Sequence, residues 1–361
     1  MAIRDEFIEK MTAMGGSDLH LPSANPPMVR IHGELEIMPD EPPLSPTQVR
    51  TMTMEILEKR DQEILFEHTD VDFVYEPKEE HATLSRFRAN VFFQKNGLNI
   101  VLRGIPRQIP TLSSLDLPRS METFTHHHHG LVLVTGPAGC GKTATLAALI
   151  DIINEQKSLH IITVEDPIEY VHQNKRALII QRQVGLHVDS FQTALRAALR
   201  EDPDVIMVGE MRDLETMQLA ITASETGHLV FGTLHTNGSI QTIDRIIDIF
   251  PPEQQMQIRT MVAESLRGIV SQQLIPKKDG SGRVVAYELL QLSPSVANQI
   301  REGKNFQIIS AMQMGKNRGM QLMDTSILDL AQRGTISRAH AIERAIDPRT
   351  MEENLDAIGV Q

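Results

Sequence analysis

Apolar and polar positions follow two different rhythms along the chain, and the change falls near residue 110. Residues 3–14 carry helical spacing and stop at Gly15-Gly16. Val29-Arg30-Ile31-His32-Gly33-Glu34-Leu35 alternates apolar and polar side chains around a glycine, which predicts a hairpin. Pro42-Pro43 breaks the chain before a second helix over residues 46–66. Residues 71–75, 85–91 and 97–103 then predict three strands of one sheet. This half reads as an α+β domain of residues 1–111. The Pro- and Ser-rich stretch that follows supplies a linker at 112–118.

From about residue 130 short apolar runs alternate with helical segments. Strands are predicted at 131–135, 160–164, 204–208 and 229–234. The segment 188–200 is helical, with Val188, Phe191, Leu195, Ala198 and Leu199 on one face behind Asp189-Ser190 as a cap. Buried strands alternating with helices imply a largely parallel sheet covered on both faces. Beyond 250 the pattern is mostly helical, with one strand at 284–290. The second domain is therefore an α/β domain of residues 119–361 with a helical C-terminal part.

Composition narrows the class. A chain of 361 residues with 41% hydrophobic and 23% charged side chains has enough apolar surface for two cores. No apolar run approaches the ~20 residues that span a bilayer. The N-terminus meets charge at once in Arg4-Asp5-Glu6, and the single Cys140 excludes a disulfide framework. Together these point to the cytoplasm. A net charge of −12 weighs against a protein that tracks nucleic acid, whose affinity rests on neutralised phosphates.

The chemistry begins at Gly136-Pro137-Ala138-Gly139-Cys140-Gly141-Lys142-Thr143, which matches the phosphate loop G-x-x-x-x-G-K-[ST] between a strand and a helix. Glycines let backbone amides approach phosphate oxygens, and the helix start adds partial positive charge. Lys142 reaches the β- and γ-phosphates, and the Thr143 hydroxyl is placed for Mg²⁺.

Later strand ends carry more polar groups. Glu165-Asp166-Pro167 follows the strand at 160–164 and serves either to polarise an attacking water or as a turn signal. Gly209-Glu210 follows the strand at 204–208, the pattern of a Mg²⁺-side acid with Glu in place of the usual Asp. His228 and His235 bracket the strand at 229–234. Seven residues apart, they face opposite sides and do different work. His235, at the carboxyl end, is placed either to contact a γ-phosphate or as a satisfied core histidine, while His228 is structural or at an interface. His126-His127-His128-His129 reads as a solvated approach to the first strand rather than a metal site. The eighteen methionines read as core filler or an adaptable interface.

These stations, in this order, resemble the type IV pilus retraction ATPases of the larger secretion ATPase superfamily. Gly16-Ser17-Asp18-Leu19-His20-Leu21 and Arg86-Phe87-Arg88-Ala89-Asn90 are similar to that family's N-terminal, PAS-like domain. Leu199-Arg200-Glu201-Asp202-Pro203-Asp204, Val208-Gly209-Glu210-Met211-Arg212-Asp213 and the stretch 227–236 are similar to its RecA-like P-loop domain. The resemblance implies a homohexameric ring that hydrolyses ATP with Mg²⁺ at subunit interfaces. It implies Glu165 as catalytic carboxylate, Glu210 as the Walker B acid, and His228 with His235 as the family's histidine pair. Arg86 and Arg88, with Arg103 behind them, are implied as arginines supplied to the nucleotide. Implied partners are an inner-membrane pilus platform protein at its cytoplasmic face and a sister retraction ATPase. Ser295-Val296-Ala297-Asn298-Gln299-Ile300-Arg301-Glu302-Gly303-Lys304 departs from the family helix A-I-R-N-L-I-R-E-G-K at Ala297 and Gln299. Main motor and accessory paralogue therefore both stay open, as does another secretion or DNA-translocating RecA-like ATPase.

Overall fold

The computed structural model describes residues 3–31, 33–77 and 84–360. Met1 and Ala2, and His32 of the predicted hairpin, lie outside the described residues. The chain forms two compact units, residues 1–108 and residues 109–361, with the short segment 169–171 grouped with the first.

The first unit runs α1 (Ile3–Ala13), β1 (Asp18–Pro22), β2 (Met28–Ile31), β3 (Glu34–Ile37), α2 (Pro46–Ile56), α3 (Lys59–His68), β4 (Asp70–Tyr75), β5 (Leu84–Gln94) and β6 (Gly97–Pro106). Its six strands are antiparallel in the order β3-β2-β1-β6-β5-β4. Alternation sends Phe87, Ala89 and Val91 of β5 into the core and leaves Arg86, Arg88 and Asn90 on the other face. The single helix predicted over 46–66 is two helices. α2 starts on a capping box, in which Ser45 and Gln48 bond each other's backbone. It ends where Leu57 turns to extended backbone and buries itself in the core, and Glu58 stays extended ahead of α3.

The second unit runs β7 (Gly130–Thr135), α4 (Lys142–Gln156), β8 (His160–Glu165), β9 (Leu178–Gln183), α5 (Phe191–Ala198), β10 (Val205–Val208), α6 (Leu214–Glu225), β11 (Leu229–Leu234), α7 (Ser239–Asp248), α8 (Pro252–Ser265), β12 (Leu266–Pro276), β13 (Arg283–Gln291), α9 (Pro294–Arg301), α10 (Ile308–Met314), α11 (Met323–Gln332), α12 (Arg338–Arg344) and α13 (Pro348–Ala357). The sheet order is β13-β12-β7-β11-β10-β8-β9, and every pairing is parallel except β12 with β13. Leu131 and Leu133 of β7 face one core with α6, α7 and α8, and Val132 and Val134 face another with α4. A third cluster joins the β12–β13 hairpin to the C-terminal helices. Leu112 and Leu117, inside the stretch read as a linker, are buried in the second unit's core on either side of a 3₁₀ turn.

Three strands, β1, β9 and β12, escaped the sequence pattern. β9 is an edge strand whose Leu178 and Ile180 are half exposed, so its alternation carries little contrast. β12 holds Ser271-Gln272-Gln273 in its middle. Its buried polar groups are partnered instead of excluded: Thr145 Oγ1 donates to Gln272 Oε1 at 3.0 Å, and the Gly238 amide donates to Ser271 Oγ at 2.9 Å.

Candidate active site

β7 is buried along its whole length and leads directly into the phosphate loop. Gly136 has φ +135°, and a Cβ there would meet the Gln272 carbonyl oxygen at 2.2 Å. Glycine is required by crowding at this position. Gly139 and Gly141 sit at φ +73° and +93° with open space around them, so conformation alone selects glycine there. Pro137, Ala138 and Gly139 are exposed, while Cys140 turns inward and burial pushes its thiol pKa up. Gly141 caps α4 with no side chain, which leaves the helix start to an anion.

Lys142 is buried at the first position of α4. Its Nζ donates to Gly136 O at 2.9 Å and Pro137 O at 3.0 Å, and lies 3.5 Å from His235 Nδ1. Thr143 follows, half-buried. Beyond β10 the Gly209 amide donates to Val164 O and the Met211 amide to Thr233 O, at 2.8 and 3.1 Å. Glu210 is thereby held between the ends of β8 and β11. Its Oε1 is 2.9 Å from His235 Nε2 and accepts a hydrogen bond from Arg212 Nε.

Glu165 closes β8 as a buried carboxylate. Thr163 Oγ1 donates to its Oε1 at 2.7 Å, and Gln181 Nε2 of β9 donates to the same oxygen at 3.0 Å. Lys142, His235, Glu210 and Glu165 thus follow the carboxyl ends of β7, β11, β10 and β8, four adjacent parallel strands. Chain order and sheet order diverge at β7, the kind of edge where open α/β sheets bind ligands. A sequence profile for the type II/IV secretion system protein family matches residues 79–356.

The chain belongs to the type II/IV secretion system protein family. Within the family it is of the PilT/PilU type. The type IV pilus retraction ATPase PilT of Pseudomonas aeruginosa is 45% identical over 343 residues, covering 95% of this chain and 98% of that protein. The type IV pilus ATPase PilU of the same organism is 37% identical over 342 residues, covering 94% and 88%. A crystal structure of the pilus retraction motor PilT with bound ADP matches with a TM-score of 0.88 at 46% identity, covering 96% of this chain and 98% of that one. The second unit has the RecA-like fold of this family, followed by its helical C-terminal region.

His228, Arg86, Arg88 and Arg103 were also singled out in the sequence. His228 stands at the opposite end of β11, about 20 Å from His235 along an extended strand. Its Nδ1 is 3.0 Å from Ala223 O, closing the turn after α6. Arg86 and Arg88 are on β5 of the first unit, where Arg86 Nε pairs with Glu76 at 2.7 Å and Arg88 is exposed. Arg103, opposite Arg88 across the β5–β6 pair, bonds Asp18 at 2.7 Å. Among the residues of 126–129, His127 is half-buried and its pKa is lowered by burial and then by Arg267. Among the described residues no group of three or more His, Cys, Asp or Glu could hold a metal ion. The oxygen donors Thr143 and Glu210 nonetheless suit a hard cation that brings phosphate oxygens and waters with it, as Mg²⁺ does.

Sequence reasoning missed Arg212, Thr163 and Gln181 as site residues. A signal existed for Thr163: it stands two positions before Glu165 on one strand, so both side chains share a sheet face. Gln181 had none, because β9 was not recognised.

Proposed function

We propose that this protein is a Mg²⁺-dependent ATPase motor that powers type IV pilus retraction as a homohexamer. The observation that carries the reading is the convergence of Lys142, Glu165, Glu210 and His235 on one edge of the sheet. The 45% identity to PilT across 95% of the chain supports the retraction role.

In this reading the amides of Gly136 through Thr143 and the Lys142 ammonium bind the β- and γ-phosphates. Thr143 and Glu210 hold the Mg²⁺, which when bound supplies charge stabilisation to the phosphate oxygens. Glu165 accepts a proton from the attacking water and orients it. His235 reports on the γ-phosphate end of the site. Arg86 and Arg88 supply positive charge from the first unit, a contribution worth about 10³–10⁵ in rate where arginine fingers operate. His228 has a structural role in the turn before β11.

No helix among the described residues is long and apolar enough to cross a membrane. In this reading force is transmitted through an inner-membrane platform protein at its cytoplasmic face. The net charge of −12 favours a protein partner over nucleic acid.

A second reading, an accessory ATPase that tunes a sister motor, is favoured by one observation. The family helix lies at α9, where Val296 and Ile300 are buried and Ala297 packs half-buried in place of an arginine. Pilus retraction in cells lacking this protein, beside cells carrying Lys142→Ala, separates the two. Loss of retraction in both supports the main motor. Retraction that persists with reduced force supports the accessory role, and normal retraction in both removes pilus retraction altogether. Hydrolysis stimulated by added DNA would favour a DNA-translocating motor instead.

A further inference from the structure

The Glu165 side chain has a terminal carboxylate torsion with no strong intrinsic preference. Something outside the residue must set the plane of the carboxylate if one of its oxygens is to face a water. Two donors converge on Oε1, the Thr163 hydroxyl at 2.7 Å and the Gln181 amide at 3.0 Å. Sheet register dictates this convergence. Thr163 and Gln181 are direct partners in the parallel β8–β9 pair, and Glu165 is two residues beyond Thr163 on the same face. A slip of one residue would turn Gln181 to the opposite face.

The orientation of the Gln181 amide is itself fixed. The His172 backbone amide donates to Gln181 Oε1 at 2.8 Å, so the oxygen end faces His172 and the NH₂ end faces Glu165. Two residues along β9, Gln183 Oε1 accepts from the Ile168 amide at 3.3 Å. The segment after Glu165 is therefore clasped by two glutamines of one edge strand, and one of them also reaches the carboxylate.

We propose that Gln181 is a positioning residue for hydrolysis, holding the Glu165 carboxylate in the plane from which it addresses the attacking water. This rests on the reading of Glu165 as the catalytic carboxylate. Gln181 acts through Glu165 and not on the nucleotide, so its removal changes turnover and spares binding.

The test is steady-state ATP hydrolysis by the full-length protein with Glu165→Gln, Gln181→Leu, Thr163→Val and the double variant Gln181→Leu/Glu165→Gln, with ADP affinity measured for each. Misplacement of a catalytic group by about 1 Å costs about 100-fold, so Gln181→Leu is expected to lower kcat about 10- to 100-fold. KM for ATP and the affinity for ADP are expected to stay within about 3-fold, because binding does not use the carboxylate plane. Thr163→Val, which removes the other donor, is expected to fall in the same direction. The double variant should be no slower than Glu165→Gln alone, since the two residues form one unit. Gln181→Asn, one methylene too short to span both partners, gives the same readings if the Leu variant does not fold. A Gln181 variant that hydrolyses at the parental rate or faster while Glu165→Gln is slow overturns the positioning role and leaves the catalytic one standing. Losses that multiply in the double variant also overturn it. Parental hydrolysis by Glu165→Gln removes the catalytic reading and the proposal with it.

Discussion

His235 Nε2 lies 2.9 Å from Glu210 Oε1, while the Nδ1 of the same ring faces the Lys142 ammonium at 3.5 Å. One tautomer serves both contacts, with Nε2–H donating to the carboxylate and the Nδ1 lone pair turned toward the lysine. A single imidazole thus ties the phosphate loop to the loop after β10. Replacing His235 by Ala should lower kcat, and a cycle with Glu210→Gln should show coupling of about 0.5–3 kcal/mol between the two positions. Additive losses would mean that the ring and the carboxylate act independently.

Lys142 braces its own loop through Gly136 O and Pro137 O as well as offering its charge. Lys142→Ala should reduce hydrolysis to background and abolish stabilisation by nucleotide. In the parent, ADP at a hundred times its Kd should add about 2.7 kcal/mol of stability, read as a rise in Tm. A variant that keeps that rise would separate lysine from nucleotide binding.

His172 gives a pH dependence with a defined sign. Its side chain is buried, 4.0 Å from Asp151, and burial lowers its pKa to about 4, against a raising effect of Asp151 and a lowering one of Lys175. In the unfolded chain the group titrates near 6.5. Between these values the unfolded state binds the proton and the native state does not, so stability falls as pH drops through that window. The loss from this group between pH 7.5 and 5 is about 2 kcal/mol. Urea unfolding at the two pH values, with and without His172→Leu, measures it. The variant should lose that much less on acidification.

Glu288 is a buried carboxylate that accepts from the Ser239 amide at 2.6 Å and the Met323 amide at 3.4 Å, the starts of α7 and α11. Glu288→Ala leaves both donors without their acceptor and should destabilise the protein by about 2–6 kcal/mol, from roughly 1–3 kcal/mol for each of the two buried amides. Denaturant unfolding of the purified variant reads this directly. A change under about 0.5 kcal/mol would show that water replaces the carboxylate.

Most of the candidate site was legible because its polar residues sit where regular patterns stop. The phosphate loop, Glu165, Glu210 and His235 each follow an apolar run, and in a parallel sheet such positions gather at one edge. β12 was not legible because Gln272 and Ser271 violate the apolar pattern and are satisfied by Thr145 and Gly238, more than thirty residues away in sequence. β9 failed for the opposite reason, since an edge strand need not be apolar on both faces. The 46–66 helix was misread because the chain turns extended at Leu57 and Glu58 with no glycine or proline there to mark the break. Ser190, predicted as part of a cap, does accept from the Thr193 amide, a local interaction that sequence spacing can specify.

The contact between Gly136 and the Gln272 carbonyl has a consequence for dissecting the protein. A fragment ending near residue 250 would contain every residue of the phosphate loop and of the acidic and histidine stations. It would lack the wall against which the loop makes its first turn, and β7 would become an unprotected edge. The smallest portable nucleotide-binding module of this protein therefore extends through Gln291, where β13 completes the hairpin that covers that edge.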